Sequence, residues 1–226
     1  MASLERRLAA EALGTALLLA TVIGSGIMGE RLSGGNVAIA LLVNSIATGC
    51  GLVAFILVFA PISGAHFNPA VTLVSALARE IAWRDAWAYV AVQIAAAFVG
   101  VAAAHLMFEE PLFSASQHVR SGGAQWWSEF VATFGLIATI IGCARSRPAM
   151  IAVAVGAYIA AAYWFTASTS FANPAVTLAR AASDTFAGIS PEDAPAFVVA
   201  QFTGALAAAG VMRWLTSPTA ASRTDD

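Results

Sequence analysis

The stretch His66-Phe67-Asn68-Pro69-Ala70-Val71-Thr72-Leu73 returns as Phe171-Ala172-Asn173-Pro174-Ala175-Val176-Thr177-Leu178, so six consecutive residues recur 105 positions apart. Asn followed by Pro starts a helix on physical grounds. Asn is a leading N-cap, and Pro in the first helical position lacks only a donor that would be unpaired there anyway. Each copy opens an apolar piece, Asn68 to Leu77 and Asn173 to Ala182. Both pieces are too short to cross a ~30 Å hydrocarbon core, which takes ~20 helical residues. One such box is an ordinary helix cap; two in matching positions of a repeat need a common cause.

Working outward, longer apolar runs extend roughly over Leu8 to Met28, Val37 to Phe59, Ala86 to Leu106, Trp127 to Cys143, Ala149 to Trp164 and Ala196 to Leu215, six spans in all. The chain is 59% hydrophobic and 11% charged, outside the range of soluble domains. It contains no lysine, and its 11 arginines and 13 acids fall mostly between the apolar runs. A net charge of −2 argues against nucleic acid as a partner; the lipid bilayer is the partner implied instead. Cys50 and Cys143 lie inside apolar runs and read as small hydrophobes. The first run follows Arg6-Arg7 but is long enough to span, so it reads as a retained helix.

The duplication reaches beyond the boxes. Glu11 is echoed by Glu129 and Gln93 by Gln201, at separations of 118 and 108 residues. Each half, about 8–106 and 127–215, reads as two spans, a short helix and a third span. Three spans is an odd number, so the second half enters from the opposite side and the repeat is inverted. Arg6, Arg7, Arg79, Arg84, Arg145, Arg147 and Arg223 then share the side of the N-terminus, against Arg31, Arg120 and Arg180 on the other. By the positive-inside rule both termini are cytoplasmic.

Irregular backbone at membrane depth is tolerated only where protein buries it or it lines a watery cavity. Gly64 to Phe67 and Thr166 to Ala172 are such backbone. Two half-helices meeting at their caps from opposite leaflets would set Asn68 and Asn173 face to face at the midplane. Each cap uses the side-chain carbonyl oxygen and leaves two amide N–H donors free. With the positive helix ends converging there, cations are repelled and small neutral hydroxylated molecules can be accepted.

These features resemble the aquaporin or major intrinsic protein family over nearly the whole chain, Leu8 to Leu215. The resemblance implies an all-α membrane fold of six transmembrane helices and two re-entrant half-helices in an inverted repeat. It implies a homotetramer with a pore in every subunit, lodged in the cell inner membrane as a multi-pass protein. It gives Glu11 and Glu129 a support role, accepting hydrogen bonds from the re-entrant loops, with a proton relay as the alternative for intramembrane acids. His66 reads as a loop-bracing residue, with pH sensing as its alternative.

At one place the pattern departs. The family's narrow aromatic/arginine constriction takes an Arg directly after the second Asn-Pro-Ala, and here that residue is Val176. Carried over by the family's spacing, the other three positions fall on Thr48, Ala161 and Ser170. The loop Tyr163 to Phe171 also departs from the family's small-residue pattern, so a shift of one or two residues would bring Phe171 or Trp164 to the wall. Replacing Arg by Val removes a cation and up to five donors, which implies a wider, less polar opening. Arg180, seven residues beyond Asn173, is expected to brace a loop or pair with Asp184, with a cation near the mouth as the alternative.

The string Ser170 to Thr177 resembles a bacterial branch of aquaglyceroporins associated with arsenic resistance, in which this Arg is likewise Val. That resemblance implies passive passage of small uncharged solutes: arsenite or methylated arsenicals and small polyols such as glycerol, with or without water. An ordinary water/glycerol channel is the first alternative. A secondary transporter is the second, since broken helices and inverted repeats serve those proteins too. The sequence offers no nucleophile, base and orienter cluster and no metal-ligand spacing, so no enzyme, metal site or cofactor is expected.

Overall fold

In the computed structural model, which describes residues 2–217, every element among the described residues is helical. Arg223, counted above with the cytoplasmic arginines, lies outside the described residues. The chain runs α1 (Leu4–Leu32), α2 (Val37–Ser63), α3 (Pro69–Leu77), α4 (Trp83–Phe108), α5 (Gly123–Ser146), a 3-10 turn (Pro148–Met150), α6 (Ile151–Phe165), α7 (Pro174–Arg180) and α8 (Ala194–Leu215). Six of these helices are long and apolar enough to cross a membrane, the 3-10 turn being continuous with α6. The half-helices α3 and α7 have nine and seven residues. The second is thus shorter than its apolar run suggests, because the chain turns away after Arg180.

Local chemistry sets the breaks. Asn36 caps α2 by accepting from Ala38 N at 3.1 Å and Ile39 N at 3.3 Å. Gly64 ends α2 in the left-handed region at φ 90°, where a residue without Cβ carries no penalty. Asn68 Oδ1 then accepts from Ala70 N at 2.9 Å and starts α3 four residues later. In the second half Asn173 does the same for α7, taking Ala175 N and Val176 N.

Each half packs as a three-helix unit, α1 against α2 and α4, and α5 against α6 and α8. The halves meet where α2 crosses α6, and each half-helix bridges them: α3 touches α4 and α8, while α7 touches α8 and α4. Small residues permit these approaches. A Cβ on Gly49 would lie 2.8 Å from the Gly156 carbonyl oxygen, and one on Gly156 would lie 2.4 Å from that of Gly49. Gly100 and Gly204 meet the carbonyls of Ala16 and Phe130 just as closely, so the α1–α4 and α5–α8 crossings need glycine as membrane helix interfaces often do. Large apolar side chains such as Leu13, Leu57, Val99 and Val199 point outward, as expected of surfaces meeting lipid or another subunit.

Candidate functional site

The two re-entrant loops share a strained backbone. Ala65 and Ser170 both have φ 51°, and Phe67 and Ala172 both have φ 49°. Left-handed conformations at residues with a Cβ cost roughly 1–2 kcal/mol each and persist only where the surroundings over-determine them. Two buried carboxylates do so here. Glu11 on α1 accepts from His66 N (3.0 Å), Phe67 N (2.7 Å), Ser63 Oγ (2.6 Å) and Gln93 Nε2 (2.8 Å). Glu129 on α5 accepts from Phe171 N (2.9 Å), Ala172 N (2.9 Å) and Gln201 Nε2 (2.6 Å). Both acids are fully buried, and every carboxylate oxygen is engaged.

The glutamine amides continue the frame. Gln93 Nε2 reaches Thr72 Oγ1 at 3.0 Å, and Gln201 Nε2 reaches Thr177 Oγ1 at 2.8 Å. Each threonine hydroxyl in turn donates to the carbonyl of its own box asparagine, at 3.1 and 2.9 Å. His66 fits the same frame: its Nδ1 lies 3.1 Å from Thr72 Oγ1, and its ring meets Tyr89 edge-on.

The asparagines interlock. Asn68 Nδ2 donates to Ala172 O at 2.8 Å, and Asn173 Nδ2 donates to Phe67 O at 2.8 Å. So each amide uses one N–H on the carbonyl preceding the other asparagine, and one N–H per residue is left. The donors that capping leaves free thus find one acceptor each on the opposite loop, a pairing which the duplicated box alone does not specify.

Both asparagines line a cavity of about 500 Å³ inside the bundle. At one end it is lined by Arg7, Ser75, Glu80 and Tyr89, and at the other, hereafter the Arg180 mouth, by the buried Tyr163, Phe171 and Arg180. Between them the wall is mostly apolar, with Leu18, Leu52, Ile56, Leu136, Val155 and Ile159. Val71 and Val176, at equivalent positions of α3 and α7, both face this cavity.

Of the constriction residues assigned from sequence, Thr48, Ser170, Phe171 and Val176 line the cavity near the Arg180 mouth. Ala161 does not: it is exposed on the outer face of α6, and the α6 residue on the wall beside Thr48 is Tyr163. The assignment by spacing missed the helix phase by two residues. Trp164 also faces outward, 49% exposed, with its Nε1 on Ser45 Oγ at 3.1 Å. The Tyr163 hydroxyl sits 3.2 Å from Thr48 Oγ1 and neighbours the Arg180 guanidinium.

Arg180 forms no ion pair with Asp184, whose Oδ1 accepts from Gln117 N at 2.9 Å. It is 1% exposed, its Nε donates to the Ala187 carbonyl, and its Cζ sits 3.3 Å from the centroid of the Phe171 ring. Arg120 approaches the same ring at 5.1 Å but is held by Gly188 O (2.8 Å) and Ser168 O (3.3 Å) and does not border the cavity. Burial pulls the Arg120 guanidinium down to about 10, against the field of Glu129 and Tyr163, so it stays charged at neutral pH. Among the described residues no group of three His, Cys, Asp or Glu side chains is placed to hold a metal ion.

Comparison with known proteins agrees with this geometry. The family profile described as Major intrinsic protein matches residues 1–151 and 146–225. Aquaglyceroporin AqpS of Rhizobium meliloti (strain 1021) is 55% identical over 215 residues, covering 95% of this chain and 92% of its own. Aquaporin NIP3-1 of Oryza sativa subsp. japonica is 30% identical over 218 residues, covering 92% of this chain and 68% of its own. The X-ray structure of the aquaglyceroporin from Plasmodium falciparum superposes with a TM-score of 0.73 at 21% identity, covering 92% of this chain and 95% of that one, which speaks to the fold.

Proposed function

The chain belongs to the major intrinsic protein family and is a multi-pass membrane channel for small solutes, not an enzyme; from that premise we propose that it passes neutral metalloid acids and small polyols through the cavity between Asn68 and Asn173. The observation that carries the reading is the pair of interlocked asparagines, each with one amide N–H left over, on the wall of one cavity inside the bundle. A solute that sheds part of its hydration finds donors there at one depth and apolar side chains on either side. Ions find no comparable replacement for their hydration.

The wider permeant range rests on Val176, which puts an isopropyl group where the family's water-selective members carry Arg. It is consistent with the 55% identity to a protein named an aquaglyceroporin. The four constriction-wall residues are Thr48, Tyr163, Ser170 and Val176, with Phe171 behind them. A neutral arsenical such as arsenous acid is a compact polyol mimic and suits this mixed wall. Glu11 and Glu129 support the loops, each accepting from two backbone N–H groups of its own re-entrant loop. His66 is likewise a loop brace. The protein assembles as a homotetramer in the inner membrane with both termini cytoplasmic, each subunit holding its own pore and the repeat halves at about 8–106 and 127–215.

Stopped-flow light scattering on proteoliposomes tests this directly, with water, glycerol and arsenite measured in parallel. Flux of glycerol and arsenite above that of empty vesicles, proportional to the gradient and independent of Na⁺ and H⁺ gradients, is the expected result. Water flux alone would return the chain to the water-selective members, and flux driven by an ion gradient would make it a transporter.

A further inference from the structure

Five residues before its box asparagine, each half carries a serine, Ser63 and Ser168. Both open the strained backbone in the same way: Ser63 Oγ accepts from Ala65 N at 3.0 Å, and Ser168 Oγ accepts from Ser170 N at 3.2 Å. Both serine carbonyls are also paired, but by different donors. Ser63 O accepts from the Tyr89 hydroxyl on α4 at 2.9 Å, whereas Ser168 O accepts from Arg120 Nη1 at 3.3 Å. A buried carbonyl needs a partner, and the two halves find theirs in unrelated parts of the chain.

The cause lies on α8. Tyr89 stands four residues before Gln93, and the residue four before Gln201 is Phe197. Both rings are fully buried and meet their loops alike, Tyr89 edge-on to His66 at 5.4 Å and Phe197 edge-on to Phe171 at 5.3 Å. Phe197 therefore presents the same ring without the oxygen. Arg120 reaches the vacated place from the segment between α4 and α5, which joins the two halves. Its Nε donates to Gly188 O at 2.8 Å, its backbone N–H donates to Asp193 Oδ2 at 2.7 Å, and its Cζ lies 5.1 Å from the centroid of the Phe171 ring. It is 8% exposed and does not border the cavity, so its effect on permeation passes through the loop it holds.

We propose that Arg120 is the positioning residue of the second re-entrant loop, supplying to Ser168 O the donor that Phe197 lacks and tying that loop to the segment before α8. The first loop is held at this point by its own half; the second is held by the connection between the halves. Asn173, Phe171 and Val176 keep their places on the cavity wall through that hold. The inference concerns the shape of the wall and not the choice of permeant, so either can fail while the other stands.

The test exchanges the donor. Arg120→Met, Arg120→Met combined with Phe197→Tyr, and Tyr89→Phe are compared with wild type as purified full-length protein. Amide hydrogen exchange is followed in peptides spanning each re-entrant loop, and water flux is measured in proteoliposomes. Arg120→Met keeps an apolar stem and donates nothing. It should raise exchange in the second loop about tenfold, the scale of one lost hydrogen bond from a charged donor, and leave the first loop near wild type. A merely general loss of stability would raise both loops alike. Phe197→Tyr adds a hydroxyl where Tyr89 carries one, so the double variant should return exchange to within about threefold of wild type. Tyr89→Phe should do the converse, raising exchange roughly two- to threefold or more in the first loop alone. Water flux per folded channel should fall in Arg120→Met and recover in the double variant. If Arg120→Met does not fold, folded yield replaces exchange as the readout, and the double variant should restore it. A double variant no better than the single one overturns the proposal. Equal rises in both loops, unchanged flux in a folded Arg120→Met, or an unaltered first loop in Tyr89→Phe would do so too.

Discussion

Two residues before its box asparagine, the first half of the molecule carries His66 and the second carries Phe171. Their backbones are equivalent: each N–H donates to the glutamate of its own half, and each lies between two left-handed residues. Their side chains have diverged. The imidazole of His66 meets Thr72 and Tyr89, while the Phe171 ring receives Arg180 at 3.3 Å and stacks edge-on with Phe197 at 5.3 Å. One turn past the equivalent valines the same thing happens, with Ser75 on α3 matched by Arg180 on α7. The hydrogen-bonded frame is held in common because the strained backbone needs it on both sides of the midplane. Chemistry at the two ends can differ because the bonds common to both loops are made by backbone N–H groups, the His66 imidazole adding its contact to Thr72 in the first half alone.

The strongest way to break this comparison is to attack the frame. Glu11→Gln replaces an acceptor of four hydrogen bonds with a group that must present a donor to some of them, and Glu129→Gln does so for three. Hydrogen bonds to a buried charge are worth about 1.5–3 kcal/mol each, so either variant should lose on the order of several kcal/mol. The expected readout is a lower unfolding temperature in detergent and less folded protein, with Glu11→Gln the more damaged. A stable variant that lost only pH-dependent flux would show a proton relay and break the equivalence of the two carboxylates as braces.

Next in size is the midplane. Asn68→Leu and Asn173→Leu each remove a cap, a cross-loop donor and a polar side chain from the cavity wall. Solute flux should fall by at least about tenfold in protein that still folds, a single lost donor in a dry site being enough for that. Because the frame is symmetric, the two losses should be similar. A large inequality would show that one loop alone defines the barrier.

Val176→Arg and Val71→Arg compare the two mouths themselves. Arg at 176 adds a guanidinium beside Thr48, Tyr163, Ser170 and Arg180, so it should narrow the wall and lower the glycerol-to-water ratio several-fold, by roughly the cost of filling a close-packed opening. Arg at 71 faces the opposite mouth, where Glu80 borders the cavity and can receive the charge. It should reduce both fluxes together and shift the ratio less. Equal shifts would mean that neither mouth selects.

The frame was legible in the sequence, and the mouth only in part. Six identical residues recur in two places, and their Asn and Thr, together with Glu11, Glu129, Gln93 and Gln201, are polar groups in apolar surroundings, which have few permissible positions. They could therefore be read before any geometry was known. Tyr163 could not be read in the same way. The run Ala160-Ala161-Ala162-Tyr163-Trp164-Phe165 is apolar all round, so it carries no periodic signal of which face turns inward. Arg180 was visible as a cation at the right spacing. Its direction depends on the lean of side chains along a seven-residue helix and on the ring of Phe171, neither of which a linear pattern shows. The acceptor of each asparagine amide was hidden for a related reason: it lies on the other loop, more than a hundred residues away.

The smallest expected effects lie on α6, and they separate helix phase from family spacing. Ala161→Leu adds a branched side chain on a face that is exposed and outside the cavity, so both permeabilities and their ratio should stay at wild-type values. Tyr163→Phe keeps the ring and removes one hydroxyl, which lies 3.2 Å from Thr48 Oγ1 and beside the Arg180 guanidinium. Thr48 then has no partner on α6, and a polyol entering the mouth has one contact fewer. A drop of roughly twofold in the glycerol-to-water ratio follows, the scale of one neutral hydrogen bond. The pair of variants has opposite expectations under the alternative register, in which residue 161 forms the wall: Leu there would then narrow the opening and lower glycerol flux sharply, while Phe at 163 would do nothing. Measuring both in the same vesicle preparation fixes which face of α6 turns to the solute, and hence whether the Arg180 mouth owes its polarity to a tyrosine from the first turn before the loop or to the loop alone.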